Sequence, residues 1–165
     1  MTGPEQVAVR LVLNGERVSA LVDSDATLVD ALREDFDVTG VRIGCRNGDC
    51  GTCTALVDDR CVKTCLVLAG RASGSEVRTL EGLGTEESPS AIQQAFMECY
   101  SFQCGFCLPG MVFAAEELLD RTPDPTDAQI RDALSGNLCR CTGYQNFVRG
   151  VHRAAEIRRD GTSQT

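Results

Sequence analysis

Basic runs are missing from the 165-residue chain, where 16 Lys and Arg stand against 24 Asp and Glu for a net charge of −8. Nucleic acids and anionic membranes bind through clustered cations that release counterions, so those partners are excluded. Long apolar runs are missing too. The longest uncharged stretch, residues 99–115, is broken by Gly, Pro, Gln and three cysteines, which hydrocarbon would not accept, so no membrane span is expected. The opening MTGPEQVAVR has no basic region followed by an apolar one, so no secretory leader is expected and the cytoplasm is the expected compartment. Histidine occurs once, at position 152 between Arg149 and Arg153, where a solvated or partner-facing role fits better than a ligand or base. Gly82-x-Gly84 lacks a third glycine and does not open a helix, which excludes a dinucleotide fingerprint.

What is abundant is cysteine, with ten residues in a chain that is 42% hydrophobic and 24% charged. That balance describes a globular protein of one domain or two small ones. Because the cytosol keeps thiols reduced, metal binding explains so many cysteines better than disulfides do.

Residues 7–13 and 17–22 alternate around Asn14-Gly15, a type I′ hairpin pattern. Thr27 with Asp30 opens a helix of about two turns ending near Asp35. A cysteine-rich loop spans 44–53, and 54–57, 61–66 and 77–80 are short strand candidates with a turn at Asp58-Asp59. Residues 81–89, EGLGTEESP, have linker composition, and beyond them the apolar period changes from two to 3.6. Ser90 with Gln93, Pro109, Thr126 with Gln129, and Thr142 with Gln145 open four predicted helices; the tail after Arg159 is expected to fray. Cys99 joins Ile92, Ala95 and Phe96 on an apolar face and reads as a buried structural thiol. The pattern predicts an α+β domain over 1–84 and an all-α, four-helix domain over 85–165.

The cysteines fall into two groups. Cys45-x4-Cys50-x2-Cys53, with Cys65 after eleven more residues, fits the plant-type [2Fe–2S] spacing. Gly44, Gly48 and Gly51 let the loop take unusual dihedrals and bring amide donors close to sulfur, which raises the reduction potential. The second group is Cys104-x2-Cys107 and, 31 residues later, Cys139-x-Cys141. Both pairs precede predicted helix starts, at Pro109 and Thr142, whose positive ends would face an anionic centre. Alone, this second group is open to zinc, iron–sulfur or a redox disulfide.

Together, GCRNGDCGTC…C, QCGFCLPG and SGNLCRCTGYQ resemble the iron–sulfur subunit, or N-terminal segment, of the molybdenum hydroxylases, the xanthine dehydrogenase and aldehyde oxidoreductase family. The likeness runs from about Val7 to Ala155. It implies a β-grasp, plant-ferredoxin-like domain with a [2Fe–2S] cluster on Cys45, Cys50, Cys53 and Cys65, then a four-helix domain with another on Cys104, Cys107, Cys139 and Cys141. It also implies electron flow from molybdopterin to the helical-domain cluster, to the ferredoxin-like cluster, to FAD. Gln103 and Cys139 would lie against the pterin. The chain departs from the family pattern at Leu108, where Thr is usual, and at Cys61, an extra thiol that the spacing sets aside in favour of Cys65.

With eight thiols assigned, no nucleophile–base pair or nucleotide loop remains for substrate chemistry. The expectation is an electron-transfer subunit of a molybdenum oxidoreductase, docked to a large molybdopterin subunit and a medium FAD subunit as a dimer of heterotrimers. A free two-cluster carrier and a zinc-stapled interaction module are the alternatives, separable by co-purifying partners and by visible absorption.

Overall fold

The computed structural model describes residues 5–162. The first four residues of the opening segment and the last three of the tail, on which the leader and fraying expectations partly rest, lie outside the described residues. Gln6–Leu13 (β1) and Glu16–Asp23 (β2) pair antiparallel, with Leu13 opposite Glu16. Between them Asn14 and Gly15 take φ of 51° and 88°, the pair of left-handed values that a type I′ turn requires. Leu28–Glu34 (α1) starts at Thr27, whose hydroxyl accepts from the Asp30 amide at 3.4 Å and donates to the Asp30 carboxylate at 2.6 Å.

Thr54–Val57 (β3), Arg60–Lys63 (β4) and Glu76–Arg78 (β5) complete a five-stranded sheet of order β2-β1-β5-β3-β4. β1 and β5 run parallel; the other neighbours are antiparallel. Alternation puts Val9, Leu11, Leu13, Val22 and Val77 in one core with Leu28, Ala31 and Leu32 of α1.

Two expected strands are shorter than their apolar runs. The segment 61–66 leaves the sheet after one last ladder bond, Thr64 amide to Cys53 carbonyl at 3.3 Å; the Thr64 hydroxyl donates to the same oxygen at 2.7 Å and a 3-10 turn follows over Thr64–Leu66. The segment 77–80 ends early because the Asn14 side chain takes the Thr79 amide at 2.8 Å, after which Leu80–Gly82 forms another 3-10 turn.

The second core is helical: Ala91–Glu98 (α2), Leu108–Arg121 (α3), Asp127–Leu134 (α4) and Gln145–Thr162 (α5). Capping boxes are formed at Ser90 with Gln93 and at Thr126 with Gln129. The fourth helix begins at Gln145 rather than Thr142, since Gly143 at φ 63° and Tyr144 at φ 67° interrupt the helical path. It runs past Arg159 to Thr162. α2 packs on α5 through Phe96 and Phe147, whose rings meet edge-on at 5.2 Å, and α3 packs on α4. α3 also lies on β3 and β4, joining the two cores. No helix among the described residues is long and apolar enough to cross a membrane.

Candidate metal centres

All ten cysteines are free thiols. In the first group the chain after Val41 curls back on itself. Gly44 approaches the Cys50 sulfur so closely that a Cβ would stand 2.7 Å from it. Gly48 takes φ 88° beneath Leu66, whose Cδ1 would lie 2.6 Å from a Cβ there. The curl aims amides inward. The Cys50 amide donates to the Cys45 sulfur at 3.3 Å; that amide first, and the Asn47 amide next, draw the Cys45 thiol down to about 7. Burial, then contact with the Cys53 thiol, pushes Cys65 up to about 11. The four thiols thus approach as Cys45 with Cys50 and Cys53 with Cys65.

The second group is also drawn together in pairs. Cys141 and Cys104 sulfurs stand 3.5 Å apart, and Cys107 contacts Cys139. Cys104 is held below the usual thiol range, first by the Phe106 amide, and its partner Cys141 is raised, first by Cys104. Burial, then contact with Cys139, pushes Cys107 up to about 12. For Cys139 burial is the largest influence and acts upward, but the Thr142 hydroxyl at 3.1 Å and the amides of Cys141 and Thr142 together bring it below the usual value. Cys107 caps α3, as expected of a helix end facing the site. The second expected helix end is displaced: α5 starts four residues beyond Cys141.

Two thiolates on one tetrahedral metal stand roughly 3.7 Å apart, given metal–sulfur bonds near 2.3 Å. The Cys104–Cys141 separation matches one such pair. Among the described residues no three His, Cys, Asp or Glu side chains form a single-ion site.

Tyr144 and Thr142 were not legible as site residues. The Tyr144 hydroxyl accepts the Cys139 amide at 2.9 Å and donates to the Asn137 carbonyl at 3.1 Å, pinning the loop that carries Cys139 and Cys141. Gly143, inside what was expected to be a first helical turn, was the available clue. Gln103 is exposed beside exposed Cys104. Cys61 points away from the first group and donates to the Phe113 carbonyl at 3.3 Å. Cys99 is half-buried at the end of α2, less enclosed than expected. His152 is half-buried and pairs with Asp127 at 2.7 Å.

The two groups adjoin. The Leu138 amide donates to the Cys50 carbonyl at 2.9 Å, so a single hydrogen bond links a residue beside Cys139 to a thiol residue of the first group.

Residues 11–81 match the family described as a 2Fe-2S iron-sulfur cluster binding domain, and residues 79–152 the [2Fe-2S] binding domain family. The fold and its thiol loops therefore define an iron–sulfur protein, ferredoxin-like at its N-terminal end and helical beyond. The chain is 47% identical over 151 residues to the nicotinate dehydrogenase small FeS subunit of Eubacterium barkeri, spanning 92% of this chain and 96% of that one. It is 40% identical to a probable xanthine dehydrogenase subunit of Bacillus subtilis (strain 168), over 92% of this chain and 85% of the relative. The crystal structure of quinoline 2-oxidoreductase from Pseudomonas putida 86 superposes with a TM-score of 0.90 at 39% identity, covering 94% of this chain and 98% of that one. The chain belongs to the small iron–sulfur subunits of the molybdenum hydroxylases, the xanthine dehydrogenase and aldehyde oxidoreductase family.

Proposed function

We propose that Cys45, Cys50, Cys53 and Cys65 hold one [2Fe–2S] cluster and Cys104, Cys107, Cys139 and Cys141 a second, and that the chain relays electrons from a molybdopterin subunit, through the helical-domain centre and then the ferredoxin-like centre, to FAD on another subunit. Each cluster, when bound, supplies a one-electron site, which lets two centres divide a two-electron oxidation. The observation that carries this is the Leu138 amide on the Cys50 carbonyl: it closes a path of covalent bonds and one 2.9 Å hydrogen bond between the two sets of thiols. The thiol pairs, the amides aimed at sulfur and the glycine that admits Cys50 against the loop fit such clusters chemically.

The domain boundary is assigned to 84/85, within the polar segment 81–89, with Leu80 and Leu83 before it already packed against the helical core. Exposed apolar side chains beside the second thiol group, Tyr100, Phe106 and Leu138, suit burial under the large subunit. Exposed Gln103 and half-buried Cys139 would meet the pterin there, and Leu66 and Leu68, exposed beside Cys65, suit the medium FAD subunit. The assembly is a dimer of heterotrimers, and a reducing cytoplasm is the compartment that keeps ten thiols available.

The test is EPR of the dithionite-reduced native complex with iron and acid-labile sulfide analysis. Two distinguishable one-electron spectra and about four irons per chain are expected; one spectrum, or zinc at the second group, overturns the assignment.

A further inference from the structure

Two cations stand on the thiol loops in the same way. The guanidinium of Arg42, in the ferredoxin-like half, crosses to the helical half and donates to the Gly105 carbonyl, between Cys104 and Cys107. Its central carbon sits 5.9 Å from the centroid of the Phe106 ring, within cation–π range. Gly105 C=O and Phe106 N–H belong to one trans peptide unit, and that N–H is the foremost influence holding the Cys104 thiol low. In the first loop Lys63, the chain's only lysine, donates to the Gly48 carbonyl at 2.5 Å. The N–H of that same peptide, on Asp49, is the least of the influences lowering the Cys45 thiol, behind the Cys50 and Asn47 amides. In both places a positive charge touches the carbonyl end of an amide whose N–H end favours the charged form of a thiol.

A charged donor on a carbonyl polarises the peptide and strengthens donation from its N–H. Donation to sulfur favours the more negative, reduced state and so raises a cluster's potential. Arg42 is itself anchored, its amide donating to the Thr52 carbonyl at 3.2 Å and its carbonyl accepting from the Thr52 hydroxyl at 3.0 Å. The guanidinium therefore reaches from a fixed base.

We propose that Arg42 and Lys63 are positioning residues, each holding one peptide against one sulfur, Arg42 raising the reduction potential of the helical-domain centre and Lys63 that of the ferredoxin-like centre. This rests on the two-cluster reading above. Arg42 would then set the electron acceptor of one domain from the other.

The experiment is an EPR-monitored redox titration of the assembled complex carrying Arg42→Gln or Lys63→Gln, beside the charge-keeping Arg42→Lys and Lys63→Arg. Arg42→Gln is expected to lower one midpoint only, by roughly a tenfold drop in the one-electron reduction constant, or ~59 mV. Lys63→Gln should lower the other midpoint only, and the charge-keeping variants should recover most of each shift. Residues that merely join the two halves would move neither potential. Unmoved midpoints, both variants acting on the same centre, or equal shifts of both centres in one variant overturn the proposal. If Arg42→Gln fails to assemble, Phe106→Leu unseats the guanidinium and should lower the same midpoint by less; no movement there overturns the Arg42 assignment. Failure of the two-cluster reading is seen separately, as fewer than two spectra in the unsubstituted complex.

Discussion

Gly110 of α3 lies so close to Gly51 that a Cβ on it would stand 2.2 Å from the Gly51 carbonyl oxygen and 2.3 Å from Oδ1 of buried Asn137. Gly51 is in the first thiol loop, Asn137 precedes Cys139 by two residues, and Gly110 follows Cys107 by three. The seam between the halves is thus closed by bare backbone at the place where the two thiol groups adjoin. Gly110→Ala should cost about 1–3 kcal/mol, the usual penalty of overpacking. It should also slow reduction of whichever centre is reduced second. Gly136→Ala, where the nearest atom to a new Cβ is the Lys63 ammonium at 3.8 Å, should leave both unchanged. Thermal melting of the complex and stopped-flow reduction check the pair.

Tyr144→Phe removes one hydroxyl and leaves two backbone groups, the Cys139 amide and the Asn137 carbonyl, without their partner. The expected loss is about 1–3 kcal/mol if neither finds water. Faster iron loss to a chelator, from one centre only, is the measurement that follows the loosened Cys139 loop.

Arg46 follows Cys45 at φ 60° and is tied to α1 by a 2.9 Å bond to the Asp30 carboxylate. That bond holds Asp30 below its ordinary 3.8, helped by Thr27 and opposed by burial. A depressed carboxylate contributes stability that is present above the unfolded value and lost as pH falls through the folded one. Iron release should therefore accelerate in the native protein on acidification below about 4. Asp30→Asn should release iron faster at neutral pH and show a shallower acid dependence, read by chelator kinetics across pH.

Cys61→Ala should retain about four irons and both EPR spectra, whereas Cys65→Ala should lose about half the iron. The Cys61 thiol is committed to the Phe113 carbonyl at 3.3 Å, on the α3 side of the strand, whereas Cys65 contacts the Cys53 thiol. Iron analysis of the two variant complexes decides it.

Elements governed by neighbours in sequence were legible without coordinates. Asn14-Gly15 specifies its turn because both residues must reach positive φ. Ser90 with Gln93 and Thr126 with Gln129 announce helix starts because each cap is satisfied within four residues. Thr142 with Gln145 has the same spacing, yet it caps nothing of the kind. The Thr142 hydroxyl is taken by the Cys139 sulfur and the Tyr144 amide, and Gly143 turns the chain before a helix can begin. Residues 77–80 overran their strand for a related reason: the Asn14 side chain that ends it comes from a distant point in the chain.

Local chemistry thus decided the spacing of thiols within each loop, since turn residues and loop lengths act over a few positions, while folding brought Cys141 to Cys104 from 37 positions away. Folding alone decided how those sets meet. The Cys50 carbonyl under the Leu138 amide, the bare contact of Gly110 with Gly51, and the reach of Arg42 to Gly105 each join residues more than fifty positions apart. Such contacts depend on how α3 seats on β3 and β4, and that seating is set by the shape of two filled cores rather than by any short pattern of residues.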